Sequence, residues 1–288
     1  MMLVNDFVSI IFLSLCLDYF YKLIQNSQRD LDQLFQITYK ERYRNNTMVF
    51  KKLYISLRQF MNGSEWNLKT QVDEFFARLF QIVYTMSNPM YKFDDNYQTC
   101  IHDSTPTAMP FADAQPKITV QILRSFIASK VFLEGLRTAY DVSKKLLSIP
   151  RHDACKANFM RMTHCSICQN IDDAKPCKAY CSNVMKGCYV YIIMIQPKWN
   201  RLIQDMMELA DKLQGPFSME AIIGPLGVKI SEAIMVFQHN KLNVTNKVGQ
   251  QDVMHILRFS MLSLTTRLLI KVKIRDKRRL ILEIIFDS

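Results

Sequence analysis

Apolar residues recur at three- and four-residue spacing through most of the chain, the period of helices that bury one face. Phe20, Leu23, Ile24, Leu31, Leu34 and Phe35 mark a first helix from about Asp18 to Tyr43. A second is predicted from about Thr47 to Phe60, with Thr47 as its N-cap and Asn62-Gly63 as its stop. A third runs from Leu68 to Met86 and ends before Asn88-Pro89. Tyr91 to Pro116 holds three prolines and reads as an ordered loop. Lys117 to Leu147 then predicts one helix of about 45 Å, at about 1.5 Å per residue, stopped at Pro150. Helices resume at Pro197–Leu213 and around Val228–Asn240, separated by Gly215-Pro216 and Gly224-Pro225. Aromatics at helical spacing (Phe75, Phe76, Phe80, Tyr84, Phe126, Phe132) read as core. The chain has no internal repeat and no low-complexity linker.

Both ends break this pattern. Phe7 to Leu17 is a mostly apolar run, long enough for the core of a secretory signal and too short to span a bilayer. Asp6 precedes it, no Lys or Arg does, and no small-x-small cleavage site follows. A signal, a buried first helix turn and an artefactual start therefore stay open. No other stretch reaches about 18 apolar residues, so no transmembrane anchor is expected. At the other end Ile270 to Arg275 alternates with period two, in conflict with the helical pattern before it. The basic run Arg275-Asp-Lys-Arg-Arg279 looks like a convertase site but reads as a chance cluster. The organisation is thus an apolar N-terminus (1–17), a helical core (18–249) and a basic, apolar tail (250–288).

Composition narrows the chemistry. Seven Gly and nine Pro stand against about 20 and 14 from average usage. That scarcity argues against turn-rich sandwiches and barrels. The seven glycines assemble neither a dinucleotide-binding GxGxxG nor a phosphate loop. Net charge is +11 with a pI near 9.2, which suggests an anionic partner such as nucleic acid, a membrane surface or a sulfated polysaccharide. The tail carries eight Lys/Arg and four Asp/Glu, so +4 of the +11 belongs to it and +7 to the rest. Lys51-Lys52 and Lys144-Lys145 read as solvated helix surface. The five histidines are scattered without a carboxylate and nucleophile at motif spacing, so no catalytic triad is expected.

Cysteine placement is the most informative feature. Of eight cysteines, six (Cys155, Cys165, Cys168, Cys177, Cys181, Cys188) fall within 34 residues, while Cys16 and Cys100 stand alone. Such a cluster is either an oxidised framework or a thiolate metal site. Cys165-x2-Cys168 with Cys177-x3-Cys181 can be drawn as a four-thiolate zinc site beside His164. The eight-residue gap is short for one, and Cys155 and Cys188 would be left without a role. The spacing favours disulfides. Sequons at Asn45, Asn62 and Asn243 are candidate N-glycosylation sites and lean toward secretion.

The residues around these cysteines say more than their spacing. Met160-Arg-Met-x-x-Cys165-x-x-Cys168, then Lys175-Pro-Cys177-x-x-Tyr180-Cys181-x-Asn183-Val-Met-Lys-Gly-Cys188, closely resembles the cysteine-rich segment of the glypicans. Flanking blocks agree: Phe76-Ala-Arg-Leu79, Asn88-Pro-x-Tyr91, Tyr97-x-x-Cys100, Arg124-x-Phe-Ile-Ala128 and Phe132-x-x-Gly-Leu136. Trp199, Gly215-Pro-Phe217 and Lys229-Ile-Ser-Glu-Ala-Ile-Met235 complete the set, and the last two look most like the branch of glypicans four and six and Dally-like. The similarity runs from about Asp18 to Gly249.

This resemblance implies an elongated all-α core protein, here truncated and carrying a disulfide-rich segment. Family members stand on the outer side of the plasma membrane, bear heparan sulfate chains and are held there by a glycolipid anchor. They bind or present morphogens and growth factors of the Wnt, Hedgehog, BMP and FGF classes. They are not enzymes and need no cofactor, metal or nucleic acid. Carried over residue by residue, the family pattern pairs Cys155 with Cys188. It matches Cys165 and Cys168 to positions that pair with an upstream cluster, and Cys100, Cys177 and Cys181 to positions that pair with a C-terminal half; those partners are absent here. No Ser-Gly dipeptide offers a glycosaminoglycan attachment site, no glycolipid-anchor signal is encoded, and the tail after Gly249 matches nothing in the family. The expectation is an N-terminal glypican fragment or an incompletely assigned gene.

The alternative from a different class is an intracellular zinc-binding, basic nucleic-acid module, with Cys165, Cys168, Cys177 and Cys181 converging on one point. With up to five family cysteines lacking partners, expression of this chain is expected to give poorly secreted or disulfide-scrambled protein. Secretion as a monodisperse monomer, read by non-reducing electrophoresis and size exclusion, would contradict this.

Overall fold

The computed structural model describes residues 2–64, 67–150, 152–171 and 174–249, with side chains from residue 14 onward. Among these residues every regular element is a helix. In order they are α1 (Met2–Tyr39), α2 (Glu41–Arg44), α3 (Thr47–Met61), α4 (Leu68–Ser87), α5 (Asp95–Ala108) and α6 (Ala114–Ser148). Then come α7 (Asp153–Cys168), α8 (Lys178–Cys188), α9 (Val190–Gln214), α10 (Met219–Ile223) and α11 (residues 226–249). The tail from residue 250, including the period-two run and the basic cluster, lies outside the described residues.

Four elements depart from the sequence reading, each for a local reason. α1 begins at Met2 rather than near Asp18, because no Gly or Pro interrupts residues 2–39. It stops at Lys40, whose φ of 49° lies in the left-handed region. Thr47 is the first residue of α3 and not its N-cap: its hydroxyl donates to the Arg44 carbonyl at 3.4 Å instead of accepting an N–H. The stretch predicted as a loop holds α5, which starts where the Asp94 carboxylate accepts the Tyr97 N–H at 2.8 Å. Its Ile101 is fully buried, and it packs on α4 despite Pro106 in its last turn. α9 starts at Val190 and runs through Pro197, seven residues before the predicted start. Pro116 sits in the first turn of α6, where a missing N–H breaks no helical bond.

The helices supply two units. Among the described residues, one draws on 2–30, 57–64 and 120–226; the other on 31–56, 67–119 and 227–249. In the first unit Ile24, Leu57, Ile122, Phe126, Ile223 and Leu226 are buried to 1% exposure or less. The Ser27 hydroxyl donates to the Ile223 carbonyl, and the Lys130 ammonium lies 4.6 Å from the centre of the Phe60 ring. Gly135 on α6 admits the Met206 thioether of α9, whose sulfur would stand 2.3 Å from an added Cβ. Phe132, expected in the core, is half-buried.

The second unit is built on a run of rings. Phe35 meets Phe50 at 5.0 Å between centroids, Phe50 meets Phe75 at 5.6 Å, and Phe76 meets Phe111 at 5.5 Å. Phe80 meets Phe237 of α11 at 5.8 Å and Tyr84 at 5.6 Å. Most pairs are tilted or edge-on, the arrangement that ring quadrupoles favour. Tyr43 is 2% exposed and its hydroxyl donates to the Asp32 carboxylate. Burial first, then that carboxylate, pushes the phenol far above its ordinary value. At the surface of α4, burial by itself would raise the Glu74 carboxyl. Hydrogen bonds from His102 and Arg78, at 2.8 Å each, outweigh burial and hold it below the usual carboxylate range.

Phe80 is fully buried between Tyr84, Phe111 and Phe237. Phe80→Ala is expected to cost about 3–5 kcal/mol, read as a lower urea midpoint, whereas a truncation at exposed Met90 is expected to leave the midpoint unchanged.

Candidate functional site

The cysteine-rich segment folds into a helical hairpin with almost no core. α7 begins after Pro150, where the His152 ring nitrogen Nδ1 accepts the Ala154 N–H at 3.2 Å. α8 begins after Pro176, and its N-cap is a thiol: Cys177 Sγ accepts the Tyr180 N–H at 3.4 Å. α7 buries no side chain and α8 buries only Val184. Phe159 and Tyr189 add one ring contact at 5.8 Å. Cys155, in the first turn of α7, and Cys188, the last residue of α8, are joined, with Cα atoms 5.6 Å apart. That bridge ties the start of one helix to the end of the other.

The remaining cysteines cluster at the opposite end of the hairpin. Cys165 and Cys168 lie in the last turn of α7, exposed; Cys177 and Cys181 open α8, exposed and half-buried respectively. Among the described residues no three His, Cys, Asp or Glu side chains are placed to share a metal ion, so these four thiols do not form the tetrahedral point that a zinc module requires. Cys100 is half-buried on α5, and Cys16 is half-buried on α1, where burial pushes its thiol up. His102 stands between Glu74 and Asp103, at 2.8 and 3.0 Å.

The three sequon asparagines are all exposed. Asn45 caps the C-terminal end of α2, and Asn62 follows α3 beside Gly63, whose φ is +90°. Asn243 instead lies inside α11, where Thr245 donates to the Lys241 carbonyl at 2.9 Å.

Two apolar concavities open on the first unit. One, of about 560 Å³, is walled by Leu15, Phe20, Leu23, Phe132, Leu213 and Met219. Tyr19 and Glu220 meet at its rim, at 3.4 Å. The other is a groove of about 490 Å³ on α6, formed by Val120, Leu123, Ile127 and Val131 with Leu209 and Phe217. Its outer residues are unusually exposed: Ile127 and Val131 each keep 49% of their surface. Sequence reasoning missed this stripe, because its three- and four-residue spacing is identical to that of a buried face. No described helix is long and apolar enough to cross a membrane.

The hairpin makes its own test. Closing a 33-residue loop by a disulfide contributes about 3–4 kcal/mol in the chain-entropy account. Cys155→Ser with Cys188→Ser is therefore expected to open residues 155–188 to amide exchange and proteolysis, while exchange in α4 stays slow.

Comparison with known proteins agrees with this architecture. The profile of the glypican family matches residues 16–253. Glypican-1 of Xenopus tropicalis is 35% identical over 230 residues, 80% of this chain and 42% of that protein. Human glypican-2 is 32% identical over 238 residues, 81% of this chain and 41% of that protein. The crystal structure of the Drosophila Dally-like core domain superposes with a TM-score of 0.73 at 34% identity, covering 85% of this chain and 66% of that one. A structure of Dally-like protein in complex with O-palmitoleoyl serine gives 0.75 at 33% identity, covering 85% and 58%. The chain thus spans about two fifths of the length of the curated relatives it matches. With an all-helical fold, a bridged cysteine hairpin and a family match over most of its length, this chain belongs to the glypican family.

Proposed function

We propose that this chain is core-protein sequence of a cell-surface heparan sulfate proteoglycan, acting outside the plasma membrane by binding rather than by catalysis. Its partners are secreted morphogens and growth factors of the Wnt, Hedgehog, BMP and FGF classes, whose signalling it regulates by presenting or holding them. Cys100, Cys165, Cys168, Cys177 and Cys181 take partners from cysteines outside this chain. The observation that carries the reading is the family match over residues 16–253. Four thiols on a coreless hairpin, three of them exposed, suit an oxidising compartment better than a reduced one.

For an acylated ligand, the α6 groove is the part of the surface we assign. Its walls are aliphatic or aromatic apart from the stem of Arg124. An acyl chain laid there removes apolar surface from water at about 25 cal/mol per Å². The related Dally-like protein holds O-palmitoleoyl serine.

Titration of the monomeric fraction of the secreted chain with O-palmitoleoyl serine, followed by calorimetry, tests this. Binding is expected for the acylated amino acid and not for serine, and Ile127→Asp is expected to weaken it at least about tenfold, since a carboxylate in an apolar groove is costly, without changing helix content. Equal affinity in Ile127→Asp, or equal binding of serine, would reject the groove. Failure of an acylated Wnt-class ligand to bind the full-length protein would reject the wider reading.

A further inference from the structure

The corner formed by α2 and α3 concentrates positive charge. Lys40, Arg42, Arg44, Lys51 and Lys52 fall within 13 residues that hold one acid, Glu41. All five cations are exposed. Glu41 pairs with Arg44 at 2.6 Å, but both side chains are about two-thirds exposed, so the pair is weak. The formal balance of residues 40–52 is +4, five cations against one carboxylate; the neighbouring Asp32 carboxylate is turned to the buried Tyr43 hydroxyl.

The core of the second unit sets this polarity. Tyr43, Phe50, Leu53 and Tyr54 are 4% exposed or less and fill the inward arc of the same segment. The cations have only the outward arc left. Main-chain bonds keep the corner tightly wound: the Arg44 N–H reaches the Lys40 carbonyl, and the Asn45 N–H reaches the Glu41 carbonyl, both at 3.1 Å. At about 1.5 Å of rise per residue, the five charges lie within roughly 20 Å along the chain. On α3, Met48, Lys51, Lys52 and Ile55 follow three- and four-residue steps and share one outward arc.

The chemistry of the arc selects among polyanions. A single-stranded nucleic acid needs exposed rings on which bases stack, and every aromatic of residues 40–55 is buried. An anionic membrane needs Trp, Phe or Leu anchors beside the cations; the exposed large apolar residues here are Met48 and Ile55. What remains is a row of lysine point charges with two guanidinium forks, which match tetrahedral oxyanions spaced along a chain. We infer that the α2–α3 corner is a non-covalent docking surface for a linear sulfated polysaccharide. This goes beyond the presentation of protein ligands and borrows from that reading only its extracellular setting. Asn45 lies in the middle of the corner, so a glycan there competes for the same surface.

The test uses the monomeric fraction of the secreted full chain after enzymatic removal of N-linked glycans, titrated with a heparin oligosaccharide over a range of salt. Arg44→Gln with Lys51→Gln and Lys52→Gln is expected to weaken binding about tenfold or more at physiological salt. The slope of log affinity against log salt should fall by about two to three, since each ionic contact contributes roughly 0.7–0.9. The control, Arg137→Gln with Lys144→Gln and Lys145→Gln, removes the same charge from α6 and is expected to change affinity less than about twofold. Lys51→Arg with Lys52→Arg should keep the parent affinity. Equal weakening in both triple variants would reduce the effect to net charge and overturn the inference. So would equal binding of desulfated heparin, or equal or tighter binding of single-stranded DNA or phosphatidylserine vesicles. The assay reads no morphogen, so its failure leaves the presentation role standing, and failure of that role leaves this surface standing.

Discussion

The aromatic run of the second unit is the contact on which that unit's other features rest. Phe35, Phe50, Phe75, Phe76, Phe111, Phe80 and Phe237 come from the end of α1, from α3, α4, the turn before α6, and α11. Neighbouring rings along it stand 5.0–6.4 Å apart. Large rings in edge-on contact stabilise beyond their buried area, and they fix helix rotation, because turning a helix would withdraw its ring from the rings it touches. Tyr43 of α2 packs on Phe35 and Phe50 of the same run, and fixing α2 and α3 in this way decides which of their residues meet water. The same packing that buries Tyr43 and Tyr54 therefore exposes Lys40, Arg44 and Lys51.

The cysteine hairpin follows the opposite logic. α7 and α8 bury one apolar side chain between them, far too little to hold two short helices together in water. The covalent bridge between Cys155 and Cys188 supplies what packing does not. A hairpin bridged at one end leaves Cys165, Cys168 and Cys177 exposed at the other. The α6 groove shows a related economy, with an apolar stripe left open beside a well-filled core.

How much of this was legible depends on the signal each residue carries. The period of Phe75, Phe76, Phe80 and Tyr84 marked α4 and its buried face, because a long amphipathic pattern has few other solutions. α5 was illegible: only Ile101 and Ala108 anchor an otherwise polar stretch, and Pro106 argues against a helix. Its cap at Asp94 and its packing against α4 outweigh those local preferences. Pro197 misplaced the start of α9 for the same reason, since a proline is a probable boundary and not a certain one. Val120, Ile127 and Val131 fall inside the helix expected from Lys117 to Leu147 with nothing to set them apart, because periodicity reports a face and not what covers it.

Helix content, the all-α class and the cysteine-rich signature of the family follow from the order of residues, since periodicity, scarce glycine and short motifs are local properties of the chain. The sequence also placed five cations between Tyr39 and Leu53 and read the Lys51-Lys52 pair among them as plain solvated surface. Their gathering on one corner, the opening of an apolar stripe on α6 and the docking of α5 are decisions of packing. They depend on which faces neighbouring helices cover, and burial is a property of the assembled chain, not of any segment in it.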